Sequence, residues 1–336
     1  MNIKFTNEVF GLQDQRRDLS YLIQTIWRQK HKIVFDSEFK DIPVWLNSDD
    51  KDTLEEYFSA SMIGDTPTPH CEVVKDASTI SCEKIFSIKE AIEYANTSLT
   101  VMVENSNNDS SLIRLILDLY TSEKTAPYYD GLLDFDHAGG CGAIKGILIE
   151  KLKQNGESPK MLRYYVIVDG DKRYPTHEVN KYKTLTEYLD QNKIPYHIFE
   201  KRCMENYMPS AAFPNSSGNT NWLSAYKALS PTQRDYYNIG GGLKGDLLDE
   251  TKRNLKNDNS NIRSLLSTEL QNFYSDVPEV NLIRLAEGYS IKHFKEKFPK
   301  GFDSASITRE MLDTIQLHQS NPNELKQLAK DIMDLL

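Results

Sequence analysis

The chain has 336 residues, 39% hydrophobic and 26% charged, enough for two or three domains around a sizeable core and too apolar for a disordered polymer. No apolar run approaches the roughly eighteen residues of a membrane span, and the opening MNIKFTNEVF has no signal-peptide apolar region. We therefore expect a cytoplasmic protein without a membrane partner. A net charge of −9 argues against a broad basic surface for nonspecific nucleic-acid binding, while leaving room for a local basic groove.

Residues 1–84 are expected to form an α+β region. Gln13–Gln29 places Leu19, Leu22, Ile23, Ile26 and Trp27 at helical spacing. Lys32–Phe35 and Ile42–Leu46 have the character of short strands, and Asp52 with Glu55 resembles a capping box opening a helix through Phe58. Gly64–His70 reads as a loop. The four cysteines, Cys71, Cys82, Cys141 and Cys203, are scattered with no CxxC pair, as expected of reduced thiols.

Residues 85–212 alternate strand and helix. Strands are expected at Leu99–Glu104, Gly131–Asp136, Arg163–Asp169 and Pro195–Phe199, and helices at Ser110–Tyr120, Cys141–Gln154 and Thr184–Asn192. This order predicts a parallel sheet wrapped by helices, with the carboxyl ends of its strands on the one edge where ligands bind in such folds. Residues 213–336 are mostly helical. A polar linker at Ala212–Thr220 precedes Ser230-Pro231 and Asn321-Pro322, which carry helix-start signals.

What the strand ends present directs the functional reading. The first gives Glu104, with Asp109 beyond it in a polar loop. The second gives Asp134, Asp136 and His137 before Gly139-Gly140. The third gives Asp169-Gly170-Asp171, and the fourth gives Glu200, Lys201 and Arg202, with Glu205 just beyond. Converging carboxylates are costly unless a cation holds them together, and hard divalent ions bind such oxygen clusters. Residues two apart in an extended chain point the same way, so Asp169 and Asp171 are candidates to face one ion. Lys201 or Arg202 could supply positive charge to a phosphate transition state. Each residue also has a plainer reading: a strand-end Asp is commonly a turn or cap residue, a His beside Gly-Gly a turn residue, and Glu205 a cap or a partner of Arg202. Neither Gly139–Lys145 nor Gly240–Gly245 has the spacing of a nucleoside-triphosphate loop. Tyr236-Tyr237 suits core packing better than base stacking.

With Val101-Met102-Val103-Glu104-Asn105 followed by Val166-Ile167-Val168-Asp169-Gly170-Asp171, the second region resembles a TOPRIM (topoisomerase–primase) domain. The segment from Glu200 to Pro209 (EKRCMENYMP) is similar to the K-R-x-x-E-N-Y stretch of TOPRIM nucleases of the overcoming-lysogenization-defect group. The resemblance covers about a third of the chain. It departs just after the first Glu: Asn105 stands for the usual glycine, and the acid commonly four positions on is replaced by Asn108, with Asp109 next.

The resemblance implies a nuclease that cleaves DNA or RNA and acts in bacterial anti-phage defence. In it Asp169 and Asp171 hold Mg²⁺ or Mn²⁺, and Glu104 serves as ligand to a second ion or as general base. A longer loop lets Asp109 stand in for the missing acid, or else the second metal is weakly held; Lys201 contacts the scissile phosphate or the leaving group. Two such ions can activate water and stabilise the leaving oxygen. The group's ATPase cassette is absent from this chain, so an ATPase sensor would be a separate protein. Oligomeric state stays open. Two alternatives remain: a non-catalytic TOPRIM-like scaffold or sensor subunit that binds an ATPase, and a glycosyltransferase whose strand-end DxD holds metal and a sugar nucleotide.

Overall fold

The computed structural model describes all residues except 38, 40, 63–67, 78–82, 105–108, 122–130, 157, 214–216, 248–260 and 305. It is an α/β protein built on two four-stranded sheets. The first contains β1 (Asn2–Phe5), β2 (Lys32–Phe35), β3 (Cys71–Val73) and β4 (Ile85–Phe86) in the order β2-β1-β3-β4, with every pairing parallel. Helices α1 (Arg16–Arg28), α2 (Ser48–Ser61) and α3 (Ile88–Asn96) serve it. Ile3 and Phe5 of β1, Leu19, Leu22, Ile23 and Ile26 of α1, and Ala91 and Tyr94 of α3 form its core.

Several expectations for this region are corrected. The sheet is wholly parallel, so the region is α/β rather than α+β. Ile42–Leu46 is not a strand, and α2 begins four residues before Asp52 because Asn47 Oδ1 accepts the Asp50 amide at 2.8 Å and caps it there. Trp27 extends the apolar spacing of α1 but is 54% exposed. The core of the first sheet runs through Ala95, past residue 84.

The second sheet contains β5 (Leu99–Val103), β6 (Leu133–His137), β7 (Tyr164–Val168) and β8 (Tyr196–Ile198) in the order β6-β5-β7-β8, again all parallel. Its helices are α4 (Asp109–Tyr120), α5 (Cys141–Gln154) and α6 (Lys183–Gln191). Alternate residues of its central strands enter two different cores, as a period of two requires. Leu99, Val101, Val103, Tyr165 and Ile167 pack with α4 and the carboxyl-terminal helices. Met102, Val166 and Val168 pack with Ile144 and Leu148 of α5 and Leu185 and Leu189 of α6.

The third region is a set of short helices: α7 (Thr220–Ala228), α8 (Pro231–Tyr236), α9 (Thr268–Phe273), α10 (Glu279–Arg284), α11 (Phe294–Lys297) and α12 (Arg309–Thr314), closed by α13 (Glu324–Leu335). Ser230 and Gln233 form the capping box of α8. Tyr237 is wholly buried and donates to Leu285 O at 2.8 Å, which makes it a core residue. Leu325, Leu328 and Ile332 of α13 complete the core under β5 and β7. Among the described residues, no helix is long and apolar enough to cross a membrane.

Candidate functional site

The carboxyl edge of the second sheet gathers acidic side chains from separate segments. Glu104 follows β5 directly and is 6% exposed. Its Oε1 accepts the Asp169 amide at 3.2 Å, so the ends of β5 and β7 are tied side chain to backbone. The Tyr182 hydroxyl, from the turn before α6, lies 2.9 Å from Glu104 Oε1 and 2.5 Å from Asp171 Oδ2. The two carboxylate oxygens are therefore separated by no more than the sum of those distances. A phenol has one proton, so Tyr182 donates to one carboxylate at a time.

Asp169 and Asp171 do not extend the strand as a same-facing pair. The chain leaves β7 at Val168 and turns; Asp171 adopts a φ of +50°, and its amide donates to Arg202 O at 2.7 Å. Asp is among the few side chains that tolerate this region. Gly170 is required between them, since a Cβ there would lie 2.2 Å from Lys201 O and 2.4 Å from Phe199 O. The turn thus presses on the segment after β8. Asp169 Oδ1 accepts the Met204 amide at 3.0 Å, and Asp171 is ion-paired with Lys181.

Electrostatics single out Asp169. Its carboxyl is pushed well above the usual carboxylate range, first by burial and then by the negative charges of Glu205, Glu104 and Asp109. Cys203 is raised by burial and by Glu205 and Asp169, and the Tyr182 phenol by burial and by Glu104. Glu104, Asp169 and Asp171 are therefore brought together. Asp109, at the start of α4, and Glu205 lie within electrostatic reach of Asp169.

Other strand-end residues are engaged elsewhere. The Lys201 ammonium does not face the carboxylates: it is buried, 2.8 Å from Asp235 Oδ1 of α8, and it donates to Ile315 O at 2.9 Å. His318 Nε2 holds the other oxygen of Asp235 at 2.6 Å. The Lys201 backbone borders the site while its side chain ties the sheet to the carboxyl-terminal helices, so the expected contact with a scissile phosphate is corrected to a structural ion pair. Arg202 forms a two-pronged pair with Asp246 at 2.8 and 2.7 Å. Glu200 accepts the Ser320 and Asn321 amides. Asp134 takes the Ser98 hydroxyl, and Asp136 accepts the His137 amide at 2.8 Å. The Gly140 amide donates to Glu104 O at 2.7 Å, so it is not held out for a phosphate.

Tyr182 and Lys181 were not legible as site residues, because they carry no motif and arrive through the turn after β7. The same turn lines a groove of about 930 Å³ that begins at Gly170 and Tyr182 and includes Lys172, His177, Lys183 and His197. Among the described residues, no group of three or more His, Cys, Asp or Glu is arranged to hold a metal ion as it stands. The Tyr182 hydroxyl and the Lys181 ammonium already occupy Asp171. The donor set still suits a hard divalent cation: the acids are all oxygen donors, and Asp169 is burdened by three like charges.

No family model matches this chain, and comparison with curated proteins and with solved structures also finds no match.

Proposed function

We propose that the chain is a TOPRIM-like, metal-dependent nuclease that hydrolyses phosphodiester bonds of DNA or RNA, acting as an effector in bacterial anti-phage defence alongside a separate ATPase sensor. One observation carries the reading: Glu104, Asp169 and Asp171 meet at the carboxyl edge of one parallel sheet, with Glu205 and Asp109 raising the proton affinity of Asp169. Glu104, Asp169, Asp171 and Glu205 would hold Mg²⁺ or Mn²⁺, and Asp109 would add charge from α4. Bound there, the ion supplies positive charge to the phosphate and lowers the proton affinity of water. Glu104, buried and held by the Asp169 amide, would serve as ligand to a second ion or as the general base that takes a proton from the attacking water. Tyr182 and Lys181 must yield Asp171 for the ion to enter; the adjoining groove carries Lys172 and Lys183 together with Glu178, Glu200 and Glu324 on its wall.

A cleavage assay with Mn²⁺ across single- and double-stranded DNA and RNA tests this. Glu104→Gln and Asp171→Asn are each expected to lower cleavage by at least about 100-fold, the scale of losing a preorganised charged group, with an unchanged melting curve. Cleavage that survives in both variants rules the site out.

The second reading, a non-catalytic scaffold, draws on the same turn. Lys181 and Tyr182 already neutralise and bridge the acids, and Lys201 is committed to Asp235. Under that reading a Mn²⁺ titration shows no saturable site; under the nuclease reading it saturates.

A further inference from the structure

The two sheets meet at their amino edges, and the cavity between them is basic. His70 and Lys84 immediately precede β3 and β4 of the first sheet, while Arg163 immediately precedes β7 of the second. All three line one cavity of about 230 Å³, with Tyr94, Leu162 and Lys193 also on its wall. It lies at the opposite end of β5 and β7 from the carboxylates, roughly 16 Å away by strand rise.

Its donors are held in place. Arg163 is 4% exposed; one terminal nitrogen donates to Thr97 O, and the other to Leu335 O at 2.8 Å and Leu336 O at 3.3 Å. Its Nε is buried and has no partner among the described residues, which a native structure seldom leaves unexplained. Lys84 Nζ donates to Lys160 O and Leu162 O at 2.7 Å each, and an ammonium carries a third donor. The Asn2 amide donates to His70 Nδ1 at 3.0 Å, which places the neutral ring's proton on Nε2. The Lys84 ammonium and the Arg163 guanidinium lie 5.0 and 5.6 Å from the centre of the Tyr94 ring. Burial pushes Lys84 down to about 7, with Arg163 adding to the effect and Cys71 opposing it. Acidic groups sit at the margin: Glu83 holds Lys193 at 3.0 Å, and Asp334 acts on His70.

We propose that this cavity binds a tetrahedral oxyanion, a phosphate or the phosphate of a monoester, received by Arg163 Nε, Lys84 Nζ and His70 Nε2. Donors on side chains from both sheets suit an acceptor with oxygens in several directions better than a planar carboxylate. The neighbouring cavity of about 530 Å³, which shares His70 and Lys193, gives an esterified group room. The bound anion would bridge the two sheets and supply the acceptor that Arg163 Nε lacks among the described residues.

Calorimetric titration of the full chain with orthophosphate and with adenosine monophosphate, in EDTA and at constant chloride, tests this apart from the metal-dependent reading. One saturable site with a submillimolar Kd is expected for at least one ligand. Orthophosphate alone binding identifies the free ion, and the monoester binding more tightly identifies an esterified phosphate. Lys84→Gln and His70→Leu should each weaken binding at least tenfold, while Lys183→Gln, in the groove at the other edge, should leave it within twofold. Arg163→Gln removes bonds to Thr97 and Leu335 as well, and Lys84→Gln those to Lys160 and Leu162, so a melting curve checks that each variant folds and His70→Leu carries the decision. Absence of saturable binding to the wild-type chain, or binding that His70→Leu retains within twofold, overturns the proposal.

Discussion

The two sheets share one topology and differ in what they present at the carboxyl edge. In each, the strand order is second, first, third, fourth, and all pairings are parallel. Where β5 is followed by Glu104 and β7 by Asp169, β1 is followed by Thr6 and β3 by Val74. Thr6 closes its edge locally: its amide and its hydroxyl both donate to Val73 O at 3.1 Å. The acids near that edge are answered within the sheet, with Lys4 reaching Asp36 at 3.3 Å and Glu72 at 3.0 Å. The second sheet leaves Asp169 among like charges. Its edge is braced from outside by buried polar contacts to the carboxyl-terminal helices. The lesson is that a parallel sheet does not by itself make a site; the residues after its strands do, together with the structure that holds them under repulsion.

The comparison breaks if those outside braces prove dispensable. The largest effect is expected from Lys201→Met, which leaves Asp235 buried without its ammonium and should destabilise by about 3–5 kcal/mol. Urea unfolding would show the midpoint falling without a change in slope. Glu324→Gln should follow at about 2 kcal/mol, the scale of a hydrogen bond to a charged group. Glu324 accepts His197 Nε2 at 2.9 Å, the Glu200 amide at 2.7 Å, Gln319 Nε2 at 3.0 Å and the Tyr207 hydroxyl. Burial alone would raise its carboxyl, but these partners outweigh burial and hold it below 4.5. Its stabilising contribution is therefore complete above 4.5 and lost as pH falls through the lower folded value. The stability difference between wild type and Glu324→Gln should shrink over that acid window, and a constant difference would count against the assignment.

Gly170→Ala sharpens the comparison at the turn itself. The added carbon meets two backbone carbonyls that cannot swing aside, so a cost of about 1–3 kcal/mol is expected. Gly142→Ala on α5, where nothing lies within 4 Å, provides the control in the same thermal melts. The smallest effect belongs to the first sheet: Thr6→Ala should cost about 1 kcal/mol, one ordinary hydrogen bond, and leave any Mn²⁺ binding untouched.

Much of the second sheet was legible because its strands are short apolar runs separated by amphipathic helices, and the local pattern there agrees with the tertiary role. Ser230-Pro231 likewise announced α8, since a cap is a local hydrogen bond. The first sheet was harder to read. β3 and β4 have three and two residues, too few for a period to register, and the pairing that makes them strands is nonlocal. In the site, Glu104, Asp169 and Asp171 stood out because they end apolar runs. Their company did not, because Tyr182 and Lys181 reach Asp171 through a turn whose path depends on Gly170 lying against the segment after β8.

Lys201 marks the boundary between the two kinds of information. Its position after β8 is set by chain order, and from that alone a cation at the acidic edge is a fair expectation. Backbone direction, however, does not fix where a long side chain ends. Asp235 and the Ile315 carbonyl, 34 and 114 residues farther along, offer the ammonium a buried partner and an acceptor that only the folded chain brings within reach. Local sequence thus determined the strands and helices of the second sheet and the acids at its strand ends. Tertiary packing decided which charges face one another, because that choice depends on desolvation and on contacts between segments far apart in the chain.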